Sequence, residues 1–290
     1  MRQQDRKDNN MTSNCFKMRT FDCGGNHEIV LPNGKIVLVD PYFIDCKFEN
    51  FTRDDVTGAD YIILTHGHFD HDSDLGYLAK KFNAKVFCGV MTANELLKFH
   101  KIPYDNIFPV FPNSSYTMGD VTFDFWQAKH NESGARTYDP DKDICKTKYG
   151  FDGHKELDNL GSIESLDWMI TTNNGFRIMM CSGRAVFGES FERCKKYRPN
   201  VLLRQSGVRH PEKSGEQVPA RELAELLIKY GAQLIFPFHF DVMIKKWGYE
   251  KVEAYMADVA RELHELDPGA AFVFPKALKW YSIDLGVTEE

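Results

Sequence analysis

The sequence lacks the features of several protein classes. No apolar run approaches the roughly 20 residues that a membrane-spanning helix needs, so we expect no membrane partner. Basic residues are not in excess, because 36 Lys and Arg stand against 42 Asp and Glu for a formal net charge of −6. Nucleic-acid binding needs clustered basic charge, so we expect no nucleic-acid partner either.

The number and spacing of the cysteines argue against a disulfide framework. The chain has seven cysteines, an odd number, and no two of them form a Cys-x-x-Cys pair. This pattern favours reduced thiols. Residues 1–14 are polar and lack the apolar stretch of a secretory signal. We therefore predict a cytoplasmic protein, and the sequence leaves open whether it forms a homo-oligomer.

Length and hydrophobic content predict one folded domain. The 290 residues are enough for one large domain or two modest ones, and a hydrophobic content of 42% allows a sizeable core. We see no linker and no low-complexity segment. We predict a flexible N-terminal tail at residues 1–18 and a single domain at residues 19–290.

The most informative stretch is a cluster of histidines directly after an apolar run. Residues 61–65 predict a buried strand, and residues 66–71 then read His-Gly-His-Phe-Asp-His. Neutral imidazoles and ionised carboxylates are the usual ligands of zinc and related divalent ions. A turning loop can aim one pair of these side chains at one ion and the next pair at a second. The motif therefore predicts a metal site on this loop.

Hairpins and helices follow one another in two loosely similar halves. Asn-Gly turns at residues 33–34 and 174–175 each separate two apolar runs, which predicts a hairpin near the start of each half. Helical apolar spacing follows at residues 75–82, 220–230 and 251–265. This order predicts an α/β (α+β) protein with two mixed β-sheets packed face to face and helices outside.

The motif and its surroundings resemble the metallo-β-lactamase superfamily, whose fold is a four-layer αββα sandwich with the metal site at one edge. The resemblance covers residues 19–284, judged by motif order and spacing. Residues 66–71 match the family's His-x-His-x-Asp-His motif. His130 matches a later histidine after a strand, and His239 matches the histidine after the last core strand. Asp40 matches the aspartate that ends an early strand.

This resemblance implies two sets of metal ligands and one supporting residue. Asp40 would orient the metal loop rather than bind metal itself. The expected ion is Zn²⁺, with Mn²⁺ or Fe²⁺ as alternatives, at one or two ions per chain. The implied ligands are, for the first metal, His66, His68 and His130, and for the second metal, Asp70, His71 and His239.

The chain departs from the family pattern after the second hairpin. The family has an aspartate there that bridges both metals, but this chain reads Cys-Ser-Gly-Arg and places Arg184 at that position. A guanidinium is permanently charged and has no lone pair to offer a cation. We therefore predict one tightly held metal and a weaker or empty second site, with Glu189 as a candidate substitute carboxylate. Alternatively, Arg184 grips an anionic substrate group or pairs with Glu189 at the surface.

The implied activity is hydrolysis by a metal-activated water, with a small anionic ester, lactone or phosphoester as the substrate. Asp70 would be catalytic, since its carboxylate can accept hydrogen bonds from the nucleophile. The carboxy-terminal half is most similar to the L-ascorbate-6-phosphate lactonase group, which implies a phosphosugar lactone. The polar residues 131–161 would form a lid. Candidate substrate contacts are Arg184, His154 and Tyr138.

Three other interpretations compete with this one. The alternative from a different class is a catalytically impaired metal-binding or regulatory protein of the same fold, because Arg184 replaces the bridging aspartate. A nuclease of the tRNA-processing type is disfavoured by the acidic charge. Iron oxygenases and diiron reductases share the fold, but the diiron reductases have glutamate at the position of His68.

Overall fold

The computed structural model describes residues 15–21, 24–44, 51–130, 138–208 and 216–284. In these residues two seven-stranded sheets pack face to face, and helices cover both outer faces. This is the predicted four-layer αββα sandwich. No helix in the described ranges is long and apolar enough to cross a membrane.

The first sheet begins as an antiparallel meander and continues as parallel strands. Its strands are β1 (Cys15–Thr20), β2 (His27–Val30), β3 (Ile36–Val39), β4 (Tyr61–Ile63), β5 (Lys85–Gly89), β6 (Ile107–Val110) and, from the end of the chain, β14 (Tyr281–Asp284). The order across the sheet is β14-β1-β2-β3-β4-β5-β6. The pairs from β3 to β6 are parallel, so the loops after β3 and β4 leave the same edge.

The second sheet is built mainly from the other half of the chain. Its strands are β7 (Ser114–Met118), β8 (Val121–Gln127), β9 (Leu166–Thr172), β10 (Arg177–Cys181), β11 (Val201–Gln205), β12 (Leu234–Phe238) and β13 (Ala271–Phe272). The order is β13-β12-β11-β10-β9-β8-β7. Strands β10 to β13 are parallel, and β7 to β10 pair antiparallel.

Apolar side chains that alternate along the strands form the core between the sheets. Phe87 of β5 stacks on Phe123 of β8, with ring centroids 4.9 Å apart, and both rings are fully buried. Trp168 of β9 is also fully buried in this layer. Aromatic side chains bury a large apolar area each, so this cluster supplies much of the hydrophobic stabilisation.

Amphipathic helices seal the two outer faces. Leu78 and Leu96 lie over the first sheet, and Leu223 and Val259 lie over the second. The helices are α1 (Phe69–Asp72), α2 (Leu75–Phe82), α3 (Val90–His100), α4 (Ile144–Tyr149), α5 (Lys155–Ile163), α6 (Gly188–Tyr197), α7 (Ala220–Ile228), α8 (Asp241–Trp247) and α9 (Tyr249–Leu266), with 3-10 turns at Arg53–Asp55 and Tyr104–Asn106.

The structure differs from the sequence-based prediction at the N-terminal strand and in the segment after His130, among other places. Strand β1 starts at Cys15 and pairs with β2 and β14, so residues 15–18 belong to the sheet and not to a tail. Residues 1–14 lie outside the described ranges. The segment 131–161, predicted to be a turn-rich loop, contains α4 and the start of α5. Both helices are short and mostly polar, so their apolar periodicity is weak.

Candidate metal centre

Three histidines from both sheets form a first cluster. His66 and His68 lie on the loop after β4, and His130 lies beyond the end of β8. One ring nitrogen from each lies within 4.8 Å of the others. The ring centroids are 4.6 to 4.8 Å apart in all three pairs. Three imidazoles this close make a site for one divalent ion.

A second cluster adjoins the first. Asp70 and His71 lie on α1, and His239 follows β12. His239 Nε2 is 3.8 Å from Asp70 Oδ2, and His71 Nε2 is 3.9 Å from Asp70 Oδ1. The His66 and His71 rings lie 3.9 Å apart, so the two clusters are neighbours. The structure thus brings together the six predicted ligands as two separate triads.

Hydrogen bonds on the outer side of three ligand rings orient their inner nitrogens. His71 Nδ1 donates to Asp40 at 2.8 Å, and His239 Nδ1 donates to Asp241 at 2.7 Å. His68 Nε2 lies 3.2 Å from Ser162 Oγ. A fixed outer partner sets the ring orientation and leaves the other nitrogen with a lone pair for a cation. Neither Asp241 nor Ser162 was predicted from the sequence. A carboxylate two residues after a histidine could have indicated Asp241.

Asp40 connects the two triads. Its carboxylate accepts from the Thr65 backbone N–H at 2.7 Å, from Thr65 Oγ1 at 2.6 Å and from His71. Because Thr65 Oγ1 donates to Asp40, its oxygen can accept from His66 Nδ1 at 2.9 Å. Asp40 therefore orients one ring in each triad, and it is fully buried.

The electrostatics of the two triads differ. Burial lowers the pKa of His66 well below its ordinary value and lowers the pKa of His130 to about 3, so both rings are neutral. Burial also opposes charge on His71, but Asp40 outweighs it and raises the pKa of His71 to about 9. Burial likewise disfavours an ionised Asp70, yet His71 and His239 hold the pKa of this carboxyl well below its ordinary value.

These donors fit a divalent transition metal. His66 Nε2 is buried and has no hydrogen-bond partner among the described residues. Because Nδ1 donates to Thr65, Nε2 is the ring nitrogen that carries the free lone pair. A buried acceptor without a partner is costly, and a cation would satisfy it. The second triad adds a carboxylate to two imidazoles, which is a common mixed ligand set.

Arg184 lies beside the triads, on a loop held by a second arginine. Its backbone N–H donates to the His130 carbonyl at 3.1 Å, and its half-buried side chain lines a cavity together with His239. Arg204 is almost fully buried and donates to the carbonyls of Gly183, Arg184 and Ala185. No role was predicted for Arg204 from the sequence, although an arginine in an apolar strand was a signal.

The surroundings of three further candidate residues differ from those of the triads. His154 is fully buried and donates from Nε2 to Asp72 at 2.7 Å, so it cannot contact substrate and the prediction was wrong. Tyr138 is exposed, and its hydroxyl donates a hydrogen bond to the Glu156 carboxylate. Glu189 is exposed in a groove with Trp126 and is absent from both triads.

Two cavities flank the triads, and the exposed Val242 borders both. The first has an empty volume of about 580 Å³ and is lined by residues that include Arg184, His239 and Trp247. The second has an empty volume of about 1020 Å³ and includes Asp70, Lys148, Phe151 and Lys245 among its lining residues. Lys148, Tyr149 and Phe151 of the predicted lid thus border the site, while residues 131–137 lie outside the described ranges.

Comparisons with known proteins agree with this architecture. Residues 29–146 match the family model of the metallo-β-lactamase superfamily. A UPF0173 metal-dependent hydrolase of Staphylococcus aureus is 36% identical over 101 residues, a match that covers 35% of this chain and 43% of the relative. The aligned part thus spans less than half the length of that curated relative.

Solved structures extend the likeness to nearly the whole chain. Igni18, a metallo hydrolase from Ignicoccus hospitalis, has a TM-score of 0.64 at 15% identity and covers 94% of this chain and 100% of its own. An isothiocyanate hydrolase from Delia radicum gut bacteria has a TM-score of 0.59 at 15% identity, covering 92% and 99%. These structures show that the chain has the metallo-β-lactamase fold, and the family model of that superfamily matches residues 29–146.

Proposed function

We propose that the protein is a metal-dependent hydrolase of a small anionic ester, lactone or phosphoester. The observation that carries this proposal is the pair of metal-ligand triads beside a cavity lined by Arg184 and Lys246. Each ring held by Asp40, Asp241 or Ser162 presents its other nitrogen to a cation. At His71 the ion would displace the proton that the raised pKa keeps on the ring at neutral pH. The similarity to the UPF0173 metal-dependent hydrolase and to the metallo hydrolase Igni18 gives further support.

The residues divide the chemical work between them. A divalent ion in the first triad would lower the pKa of a water molecule and polarise the substrate oxygen. Asp70 stays ionised at neutral pH, so its carboxylate can accept a hydrogen bond from the attacking water and orient it. Because the triads are buried or half-buried, bulk water competes weakly with these interactions.

Arg184 accounts for the preference for an anion. Two unit positive charges about 4 Å apart repel by about 4 kcal/mol at an effective dielectric near 20, so a guanidinium disfavours a second cation beside it. The same planar group binds a carboxylate or phosphate through paired hydrogen bonds. We therefore propose one tightly bound ion and a weaker second one, with the anionic group of the substrate near Arg184.

The finer assignments are proposals as well. Zn²⁺ suits the three imidazoles of the first triad, with Mn²⁺ or Fe²⁺ as alternatives. A phosphosugar lactone is the substrate that the similarity to the L-ascorbate-6-phosphate lactonase group suggests. Residues 154–161 of the predicted lid are mostly buried and pack against the metal loop, so we propose that only the part before them, residues 138–153, covers the site. We also propose that the protein acts in the cytoplasm.

A regulatory metal-binding protein is the second candidate. Arg184 in place of a bridging carboxylate favours it, because weak binding of the second ion would leave a metal centre without turnover. Hydrolysis assays on a panel of lactones, carboxylic esters and phosphoesters, with and without added metal, separate the two candidates. The hydrolase predicts turnover that EDTA abolishes and Zn²⁺ or Mn²⁺ restores, whereas the regulator predicts bound metal and no turnover.

Elemental analysis tests the metal site itself. The native chain should hold at least one ion, and His66→Ala combined with His68→Ala should remove both the ion and any hydrolysis. The control is His264→Ala, an exposed histidine on α9. Well under one ion per native chain, unchanged by added zinc or manganese, would refute the proposal.

Replacement of Arg184 tests the charge argument. Arg184→Asp removes a positive charge and adds a carboxylate, so occupancy should rise toward two ions per chain. Mass spectrometry under native conditions counts the ions. Two tightly bound ions in the native chain, with no change in Arg184→Asp, would show that the account of Arg184 is wrong.

A further inference from the structure

The cavity beside His239 contains groups that the proposed metal chemistry does not use. Its polar lining includes Gln205, Gln217 and Lys246, and Trp247 forms part of its apolar wall. Its empty volume of about 580 Å³ includes the space that opens to solvent. None of these four residues belongs to either triad.

Gln205 is the clearest sign that the cavity receives a ligand. It ends β11, is only 9% exposed, and its Oε1 is buried with no hydrogen-bond partner among the described residues. Nearly all buried polar atoms in native proteins have a partner. A hydroxyl or N–H group in this cavity would supply the missing donor.

Gln217 adds a second acceptor in a fixed orientation. Its Nε2 donates to the Ser206 carbonyl at 3.0 Å and to Tyr255 Oη at 3.1 Å. Tyr255 in turn donates to the Val218 carbonyl at 2.8 Å, so this contact cannot reverse. Both amide hydrogens of Gln217 are therefore used, and only its carbonyl oxygen is left to meet a ligand.

The charged groups of the cavity are of one sign. Arg184 and Lys246 line it together with His239, and no carboxylate is among the described residues that line it. Two cations select an anion, while two amide oxygens select hydroxyl or N–H donors. The Trp247 ring offers a flat apolar surface for carbon atoms between these groups.

We propose that this cavity binds the non-reacting part of the substrate and selects a hydroxylated organic anion, such as a sugar acid or a sugar phosphate. Hydroxyl groups donate to Gln205 and Gln217, the anionic group meets Arg184 and Lys246, and the carbon skeleton lies against Trp247. The inference rests on the proposed hydrolase function, because it assigns the specificity of that site. Gln205 is then a specificity-determining residue.

Calorimetric titration of the metal-loaded full chain tests the ligand class. The probes are D-gluconate and D-glucose 6-phosphate, which carry hydroxyls and an anion, D-glucose, which lacks the anion, and inorganic phosphate, which lacks the carbon skeleton. Both hydroxylated anions should bind at least about tenfold tighter than either partial probe. If phosphate binds as tightly as the sugar phosphate, the cavity does not recognise hydroxyl groups and the proposal is wrong.

Two substitutions locate the binding in this cavity. Gln205→Met keeps the approximate shape and removes the acceptor, so gluconate affinity should fall by roughly threefold to tenfold while phosphate affinity is retained. Lys246→Met should weaken both anions by roughly twofold to fivefold, as expected for an exposed charge. If Gln205→Met fails to fold by circular dichroism, Lys246→Met at an exposed side chain decides the outcome.

Matched lysine variants serve as controls. Lys98→Met on α3 changes the same residue type at an exposed position and should leave affinity unaltered. Lys245→Met, one residue from Lys246, changes the lining of the other cavity. If Lys245→Met weakens gluconate binding and Lys246→Met does not, the anion lies in the other cavity and the proposal is overturned.

Failure of this proposal can be told apart from failure of the hydrolase proposal. Gluconate has no ester to cleave, so its affinity reports the cavity independently of turnover. Gluconate binding that depends on Gln205 and Lys246, without hydrolysis of any ester in the panel, keeps the binding site and rejects the hydrolase. Hydrolysis unaffected by Gln205→Met and Lys246→Met keeps the hydrolase and rejects this specificity assignment.

Discussion

At the residue scale, two site residues adopt a backbone conformation that non-glycine residues rarely take. Asp40 has φ of 44° and His239 has φ of 55°, both in the left-handed region. Such conformations cost free energy and persist where the surrounding structure enforces them. Both residues directly follow a core strand and present a polar side chain to the triads. The strain is therefore located where the chain must turn to place these side chains.

The Asp40 hydrogen bonds predict a loss of metal affinity on substitution. Asp40→Asn replaces an acceptor-only carboxylate with an amide, so the bonds to Thr65 and His71 cannot all be kept. Affinity for Zn²⁺ should fall roughly tenfold to hundredfold. Competition with a fluorescent chelator measures it, and the half-exposed Asp258→Asn is the control. Unchanged affinity in Asp40→Asn would contradict the role of Asp40.

His27 predicts a specific dependence of stability on pH. It is fully buried on β2, neither ring nitrogen has a partner among the described residues, and burial lowers its pKa to about 3. In the unfolded chain the His27 ring binds a proton near pH 6.5, whereas in the folded chain it stays neutral down to about pH 3. The contribution of neutral His27 to the free energy of unfolding is therefore complete above pH 6.5 and is lost as the pH falls toward 3. Between pH 7 and pH 5 the loss amounts to about 2 kcal/mol.

Urea unfolding of His27→Leu at pH 7 and pH 5 measures this contribution. The variant should lose about 2 kcal/mol less of its unfolding free energy than the native chain over this interval. The control is the exposed His264→Leu, which leaves the buried histidine in place. An equal loss in the native chain and in His27→Leu would mean that His27 is not the group responsible.

At the element scale, the position of α5 determines the position of the metal loop. A Cβ added at Gly161 would lie 2.7 Å from the His68 backbone nitrogen, and one added at Gly67 would lie 2.7 Å from the Leu157 carbonyl oxygen. The helix and the loop are therefore in backbone contact on both sides. Ser162 of the same helix also contacts His68 Nε2. Helix α5 thus fixes both the backbone position and the ring orientation of His68, a ligand of the first triad.

Gly161→Ala tests this contact. Alanine favours a helix over glycine, but here its methyl group must displace His68 or the helix. We expect metal affinity at the first triad to fall at least about tenfold, as it does when support for a ligand is lost. Gly188→Ala is the matched control, since Gly188 begins α6 with no atom within 4 Å of its added Cβ. Equal metal affinity in the two variants would show that the close contact is unimportant.

At the scale of the whole molecule, the metal triads join the two sheets. His66 and His68 follow a strand of the first sheet, whereas His130 and His239 follow strands of the second. Each triad therefore takes ligands from both halves of the sandwich. An ion bound there links the halves directly, and its binding free energy adds to the stability of the folded chain.

Removal of metal should therefore destabilise the whole fold. At a free-ion concentration of 100 Kd, binding contributes about 2.7 kcal/mol, which corresponds to about 4 to 5 °C in Tm for a domain of this size. Calorimetry before and after EDTA treatment measures the change. The His66→Ala/His68→Ala variant should show a much smaller shift with EDTA. A native Tm that does not respond to EDTA would contradict the link between the sheets.

Some of the fold and site was predictable because its signals are local. The Asn-Gly turns, the helical spacing of α2 and α7, and the strand before His239 depend on residues close together in sequence. Helices α6 and α8 were missed, since short polar helices form through contacts with distant partners. The pairing of β14 with β1 joins the two ends of the described chain and has no local signal.

Three features could be determined from the sequence by itself: the metal-binding motif, the fold class, and the presence of Arg184 where the family has an aspartate. Residue type and spacing are properties of the chain alone. Tertiary structure decided which groups meet. In the folded chain His154 is buried and donates to Asp72, and Asp241 and Ser162 contact the rings of His239 and His68. Gln205 Oε1 lies buried beside a cavity with no hydrogen-bond partner among the described residues. Such contacts join residues far apart in the chain or depend on the path of the backbone, so only packing of both sheets and their helices fixes them.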